Sequence, residues 1–211
     1  MFERFPKLHS PFIREYENET NKENYRVKNN IKNDYAWVFE NDSVKAVEKL
    51  DGENIAVHIN KNGTVDNIYT REGNHIEPFK DESYTYIVKG VLDAFHRGWM
   101  DNLENDSLHY GELIGPSVKQ NPYDWNEHMW VPFEYLKNNM SYESWGEYPK
   151  TFDAISNWFE NGLKPLFYLY MHNIPFDKEP DTAYVEGIIF IHPDGRKAKL
   201  RRDMFDWYGG K

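Results

Sequence analysis

With 211 residues, 39% of them apolar and 17% aromatic, the chain has material for one well-buried domain and too little for two large ones, and Trp, Tyr and Phe must supply much of the core. A net charge of −10 opposes a phosphate backbone, so strong non-specific nucleic-acid binding through the overall field is excluded and any polyanion site must be a local cluster of Lys and Arg. The absence of cysteine excludes disulfides and thiolate zinc sites and fits a reducing cytoplasm. No stretch approaches the roughly 18 apolar residues that a membrane-spanning helix needs, and residues 1–7 carry acid and proline where a signal peptide needs an apolar run. The expectation is a single cytoplasmic domain over residues 1–211.

In chain order, the run from Glu15 to Asn24 holds Glu15, Glu17, Glu19 and Glu23 against Lys22 and no aliphatic side chain, a solvated face or loop. Residues 35–40 and 44–48 read as strands. Residues 54–60 alternate around Ile55, Val57 and Ile59, and Asn62-Gly63 is a two-residue hairpin signal with a return strand near 64–70. Residues 84–97 place Ile87, Val88, Val91, Leu92 and Phe95 at helical spacing on one apolar face. A second helix over 151–161 has Thr151 as its cap, Phe152, Ile155 and Phe159 as its buried face, and Gly162 as its stop. Residues 183–191 form a buried strand, Pro193-Asp194-Gly195 a turn, and 196–201 the return. The fold class is α+β, antiparallel sheets flanked by helices. No Gly-rich strand-to-helix phosphate loop occurs.

Turn geometry brings polar residues together. If Asn62 and Gly63 are the loop, Lys61 pairs with Thr64, and counting back places Asn54 opposite Arg71, so Arg71 returns to the end where Lys49 lies. If His192 to Gly195 form a four-residue loop, Ile191 pairs with Arg196, Ile188 faces Lys199, and Glu186 lies near Arg201. A lone Lys-x-Asp-Gly at a turn would be weak as a motif, and a strand bearing Lys and Arg is by itself an ordinary surface strand.

Taken in order, the motifs are more specific. Lys49-x-Asp51-Gly52-x-Asn54 resembles the nucleophile motif of covalent lysine nucleotidyltransferases, the superfamily of ligases and mRNA-capping enzymes. Arg71-x-Gly73 resembles their next motif, and His109-Tyr110-Gly111-Glu112-Leu113-Ile114-Gly115 their third, a Gly-Glu in a strand. Met129 to Glu134 resembles the aromatic element that follows. Val185-Glu186-Gly187-Ile188-Ile189-Phe190 is similar to the fourth motif and Lys197-Ala198-Lys199 to the fifth. Asn54, where DNA ligases and capping enzymes usually have Arg, and Gly111 to Pro116 resemble the ATP-dependent RNA ligases. Two departures stand beside this. Asp51 sits where nick-sealing RNA ligases often have His, and Asp206-Trp207-Tyr208 lacks the lysine of the capping family's terminal element.

The resemblance implies a nucleotidyltransferase fold and three steps: a lysine attacks the ATP α-phosphorus, AMP passes to a 5′-phosphate end, and a 3′-hydroxyl displaces AMP. A lysine is nucleophilic only when neutral, and with an ordinary pKa of about 10.4 few molecules are neutral at pH 7. Cationic neighbours and a divalent metal lower that value. The resemblance implies Lys49 as nucleophile, with Arg71, Lys197 and Lys199 as the cations that serve this purpose and neutralise phosphate charge. It implies that Glu48, Asp51 and Asn54 belong to the nucleotide-binding loop and that Glu112 holds the ribose hydroxyls. Either Phe133 or Trp130 stacks on adenine, and Glu186 helps bind Mg²⁺ or Mn²⁺. The implied partners are RNA ends or nicks.

The eight histidines show no metal-ligand spacing, and Trp145, Trp158 and Trp207 read as core. Only Leu200 to Lys211 follow the fifth motif, so no appended C-terminal domain is expected. RNA grip then falls to a small patch that includes Arg201 and Arg202, or to an accessory subunit. A minimal DNA ligase and a non-catalytic nucleotide-binding module are the competing readings.

Overall fold

The computed structural model describes residues 4–16, 25–77, 82–146, 149–178 and 185–209. Most of the acidic 15–24 run, and residues 183–184 of the strand expected at 183–191, lie outside them. In chain order the elements are β1 (Phe12–Tyr16), β2 (Tyr25–Ile31), α1 (Trp37–Glu40), β3 (Lys45–Lys49), β4 (Glu53–Ile59), β5 (Val65–Thr70), α2 (Thr85–His96), β6 (Ser107–Ile114), β7 (Met129–Pro132), α3 (Phe133–Asn139), α4 (Phe152–Asn161), α5 (Leu166–Met171), β8 (Gly187–Ile191) and β9 (Lys197–Arg201). The mix is α+β with antiparallel sheets, as the hairpin signals predict. No helix among the described residues is long and apolar enough to cross a membrane.

The chain divides into two compact units. One comprises Met1–Pro6 and Leu50–Asn139; the other comprises Lys7–Lys49 and Met140–Lys211. The first is built on the sheet β5-β4-β6-β7. Its inner strand β4 buries Ile55, Ala56, Val57 and Ile59. Helix α2 turns Ile87, Gly90, Val91 and Ala94 inward. Leu92 and Phe95, expected on the buried face, stay 53% and 58% exposed. With Val65 they border a groove of about 1100 Å³ beside β5.

The β4–β5 turn is longer than Asn62-Gly63 predicts. It spans five residues, because the Asn60 side chain accepts from the N–H groups of Asn62 (2.9 Å) and Thr64 (3.2 Å) and so closes the loop on itself. An irregularity between His58 and Ile59 absorbs the extra residue. Beyond it the expected register returns. Ile55 pairs with Thr70, and Arg71 is the next residue.

The second unit holds the sheet β3-β8-β9, the β1–β2 hairpin, and α1, α4 and α5. One sheet face presents Ala46, Ile188, Phe190, Ala198 and Leu200 to a core that contains Trp145, Trp158 and Phe159. Thr151 caps α4, its hydroxyl accepting from the Ala154 N–H at 3.4 Å. Two sequence expectations fail here. Residues 35–40 are not a strand: after a 3₁₀ turn at Asn33–Tyr35, α1 closes locally through Phe39 N–H to Ala36 C=O. The aromatic run that reads as a strand is a helical turn that buries Trp37 and Val38.

The β8–β9 register also differs by one. Ile191 pairs with Lys197, not Arg196, because His192 N–H bonds to Arg196 C=O and Gly195 takes φ +93°. Ile188 therefore opposes Leu200, and Ile189 opposes Lys199. The physical reason is burial. The expected register would have set Lys197 and Lys199 on the core face, opposite the fully buried Phe190 and Ile188.

Candidate active site

In the second unit the sheet register builds a charged cluster. Lys49 opposes Gly187, and Gly187 opposes Arg201, so three strands bring these positions into one row. Glu186, one residue before β8, pairs with the Lys49 ammonium through Oε2, while its Oε1 lies 3.8 Å from Arg201. The Lys49 side chain is only 19% exposed. Alternation puts Lys197, Lys199 and Arg201 on one face of β9, away from buried Ala198 and Leu200. The Lys199 ammonium is pushed down to about 8 by its own burial and by the nearby Arg201 and Lys49 charges, with Glu186 opposing. Arg201 also pairs with Asp203 at 3.0 Å. Arg202 packs its guanidinium 5.6 Å from the Trp207 ring centroid.

Alternation sends the neighbouring Glu48 the other way. Its carboxylate points into the core, where Oε2 accepts from Phe167 N–H at 2.8 Å and Oε1 is without a partner, so any part Glu48 has in the nucleotide-binding loop falls to its backbone. Burial pushes this carboxyl up to about 8, against the lowering effect of the Phe167 and Leu166 N–H groups at the start of α5.

In the first unit the segment after Lys49 is held by backbone contacts. Asp51 N–H donates to Tyr123 Oη at 2.6 Å and Gly52 N–H to Glu112 Oε1 at 3.1 Å. A Cβ on Gly52 would lie 2.2 Å from Leu113 C=O, so only glycine lets the loop lie on β6. Asn54 opposes Glu112 across β4–β6 and donates its amide to Gly111 C=O at 3.4 Å. Gly111 is equally constrained, because Trp130 Nε1 would stand 2.5 Å from a Cβ there. Trp130 is wholly buried and donates to Ile55 C=O at 3.1 Å. Phe133 is only partly buried and meets the Phe5 ring at 5.0 Å between centroids. Arg71 lies exposed in the turn after β5.

The described residues contain no group of three or more His, Asp or Glu able to cage a metal. Glu186 is a single hard carboxylate, paired with Lys49 and near Arg201, so a divalent ion there needs phosphate oxygens beside it to offset those cations. Magnesium takes one or two carboxylates and completes its shell with water and phosphate oxygens, so this donor set fits such an ion.

No protein-family model matches the chain, and no curated protein does. Among solved structures, a mutant Naegleria gruberi RNA ligase with ATP and Mn aligns at TM-score 0.50 and 13% identity, covering 92% of this chain and 59% of that one. The fold is RNA-ligase-like. Two apo mutants of Naegleria gruberi RNA ligase align at TM-scores 0.46 and 0.45 with 14% and 15% identity, covering 79% and 94% of this chain. The chain spans 52% and 61% of their length.

Tyr123, which holds the backbone of the lysine loop, escaped sequence reasoning. It lies in a segment with positive φ at Ser117, Lys119, Gln120, Asn121 and Asp124, where no periodic pattern marks a role. The one available signal was a tyrosine enclosed in a polar loop.

Proposed function

We propose that this chain is an ATP-dependent RNA ligase that forms lysyl-AMP on Lys49 and joins 5′-phosphate to 3′-hydroxyl ends. The observation that carries the reading is the setting of the motif lysine: Lys49 ends a strand, little exposed, against Glu186 in a row with Arg201. In the reaction, Lys49 Nζ leaves the Glu186 carboxylate, gives a proton to water and attacks the α-phosphorus; the N–P bond forms as the bond between the α- and β-phosphates breaks, pyrophosphate departs, and the nitrogen gives its second proton to water. The adenylate then passes to a 5′-phosphate, and a 3′-hydroxyl displaces AMP as the phosphodiester forms.

The other residues divide the work. Lys197, Lys199 and Arg71 supply positive charge as charge grows on the phosphates. Glu186 would hold Mg²⁺ or Mn²⁺, which adds further neutralisation there. Asp51 and Asn54 shape the lysine loop, and Glu112 binds the ribose hydroxyls as it holds Gly52 N–H. Phe133 is the adenine-stacking ring, because Trp130 is enclosed and its N–H is committed to Ile55.

Incubation with α-labelled ATP followed by a denaturing gel tests this. The chain becomes labelled with ATP and not with GTP, EDTA stops the reaction, and Lys49→Ala stays folded without label. A labelled Lys49→Ala protein would overturn the assignment. Joining assays with RNA or DNA on the 3′-hydroxyl side separate an RNA ligase, which favours RNA there, from a DNA ligase, which seals all-DNA nicks as well.

A further inference from the structure

The bases expected to grip RNA, Arg201 and Arg202, are already engaged. Arg201 faces Glu186 and Asp203, and Arg202 lies against Trp207. A different group of cations in the same unit, Arg14 and Lys32, has no acidic partner among the described residues. Residues 9–12 run between the end of β2 and β9: Lys199 N–H donates to His9 C=O at 2.9 Å, and Lys32 N–H to Pro11 C=O at 2.8 Å. Lys32 Nζ turns back to Ser10 C=O at 3.0 Å, a neutral acceptor. On β1, Arg14 lies over the Tyr25 ring at 4.3 Å. Its Nε and Nη2, the two donors of the guanidinium edge that fits a phosphate or carboxylate bidentately, are buried and have no hydrogen-bond partner.

Burial, as the largest cause, and then Arg14, Lys32, Lys7 and Lys199 hold the His9 imidazole below its usual value. Arg14 likewise lowers Lys32, again after burial. No carboxylate is paired with Arg14 or Lys32 among the described residues. Like charges assembled at the edge of a sheet, around an orphaned bidentate donor, cost stability unless an anion joins them. The proposed ligation supplies two such anions, the phosphates of ATP and the backbone of the polynucleotide.

We propose that Arg14 and Lys32, beside Lys199, form an accessory site for a backbone phosphate of the RNA strand. The identity of the strand rests on the ligase reading; the site itself does not. Arg14 takes two phosphate oxygens through Nε and Nη2 once its side chain swings off the Tyr25 ring and brings these buried donors to the surface, and Lys32 adds a point charge.

The test is binding of a 3′-labelled single-stranded RNA by the full chain, followed by fluorescence anisotropy over a range of salt, with ATP labelling and melting temperature measured in parallel. Arg14→Gln and Lys32→Gln should each weaken binding about three- to ten-fold and flatten the log K against log salt slope by about 0.7 per lost contact. Arg14→Lys should keep the slope while losing part of the affinity, and lysine labelling should be unchanged in all three. Wild-type affinity and slope in both glutamine variants would overturn the site. A raised ATP requirement with RNA binding intact would assign it to the nucleotide's phosphates and overturn the strand assignment. If the wild-type chain takes no label from ATP, the ligase reading fails, and the RNA-binding comparison still decides the site.

Discussion

Glu48 and Lys49 are adjacent in sequence and opposite in chemistry because a strand alternates. One carboxyl is sealed into the core and one ammonium meets Glu186. The raised Glu48 carboxyl has a thermodynamic consequence. Between its ordinary value of 4.5 and about 8, the folded state holds a proton that the unfolded state has released. The stabilisation is thus fully present below the ordinary value and is lost as pH rises towards about 8, with stability falling by about 1.4 kcal/mol for each whole pH step. Glu48→Gln should therefore raise the melting temperature at pH 8 by several degrees and change it little at pH 4.5. Parallel wild-type and variant curves across that range would show that Glu48 carries no such proton. The aromatic pair is separable in the same way. Trp130→Ala opens a buried cavity and should cost about 3–5 kcal/mol in denaturant titration. Phe133→Ala should leave the melting temperature within a few degrees while raising the ATP concentration needed for labelling.

At the scale of elements, two of the motif glycines are explained by packing alone. Gly52 lies on the Leu113 carbonyl, and Gly111 lies under the Trp130 indole and Val131 C=O, at 2.5 and 2.6 Å from a would-be Cβ. Gly111→Ala must then push β7 away from β6, and a loss of about 1–3 kcal/mol in thermal or chemical unfolding is expected. Tyr123→Phe removes the acceptor of Asp51 N–H and should slow lysine labelling with a small change in melting temperature. Equal labelling rates would show that the loop needs no such support. The elements most legible in the sequence were those with local signals: α4 between Thr151 and Gly162 and β4 with its alternating Ile55, Val57 and Ile59, whereas the Gly-Glu strand β6 was expected only from the motif resemblance. The failures lay where a local signal competed with a stronger one. The Asn60 side chain prevailed over Asn62-Gly63 in shaping the turn, and the apolar pairing of Ile188 with Leu200 overrode the four-residue loop.

Across the whole chain, the charge of −10 is unevenly shared. The unit of residues 1–6 and 50–139 holds sixteen acids against eight bases, whereas the other holds nineteen against seventeen. A polyanion therefore meets strong opposition from the first unit's field and little from the second's, where the Arg14 and Lys32 cluster lies. Under the proposed function, end joining should fall steeply between low and physiological salt, while lysine adenylylation, which needs only ATP, should fall less. Joining that stays fast well above physiological salt would mean that a stacking surface or an accessory subunit supplies the grip.

The sequence by itself determined the α+β class and its antiparallel hairpins, and by resemblance alone marked Lys49 as the candidate nucleophile, because these are carried by residue type and short-range spacing. Only the tertiary structure decided which side of each strand a motif residue faces. Lys49 was turned to Glu186 and Glu48 to the core, Trp130 was enclosed while Phe133 stayed partly open, and Arg201 was engaged by acids while Arg14 was left with an unpaired donor edge. Those outcomes depend on register and burial, which compare the whole set of apolar side chains at once and so cannot be read from any single motif.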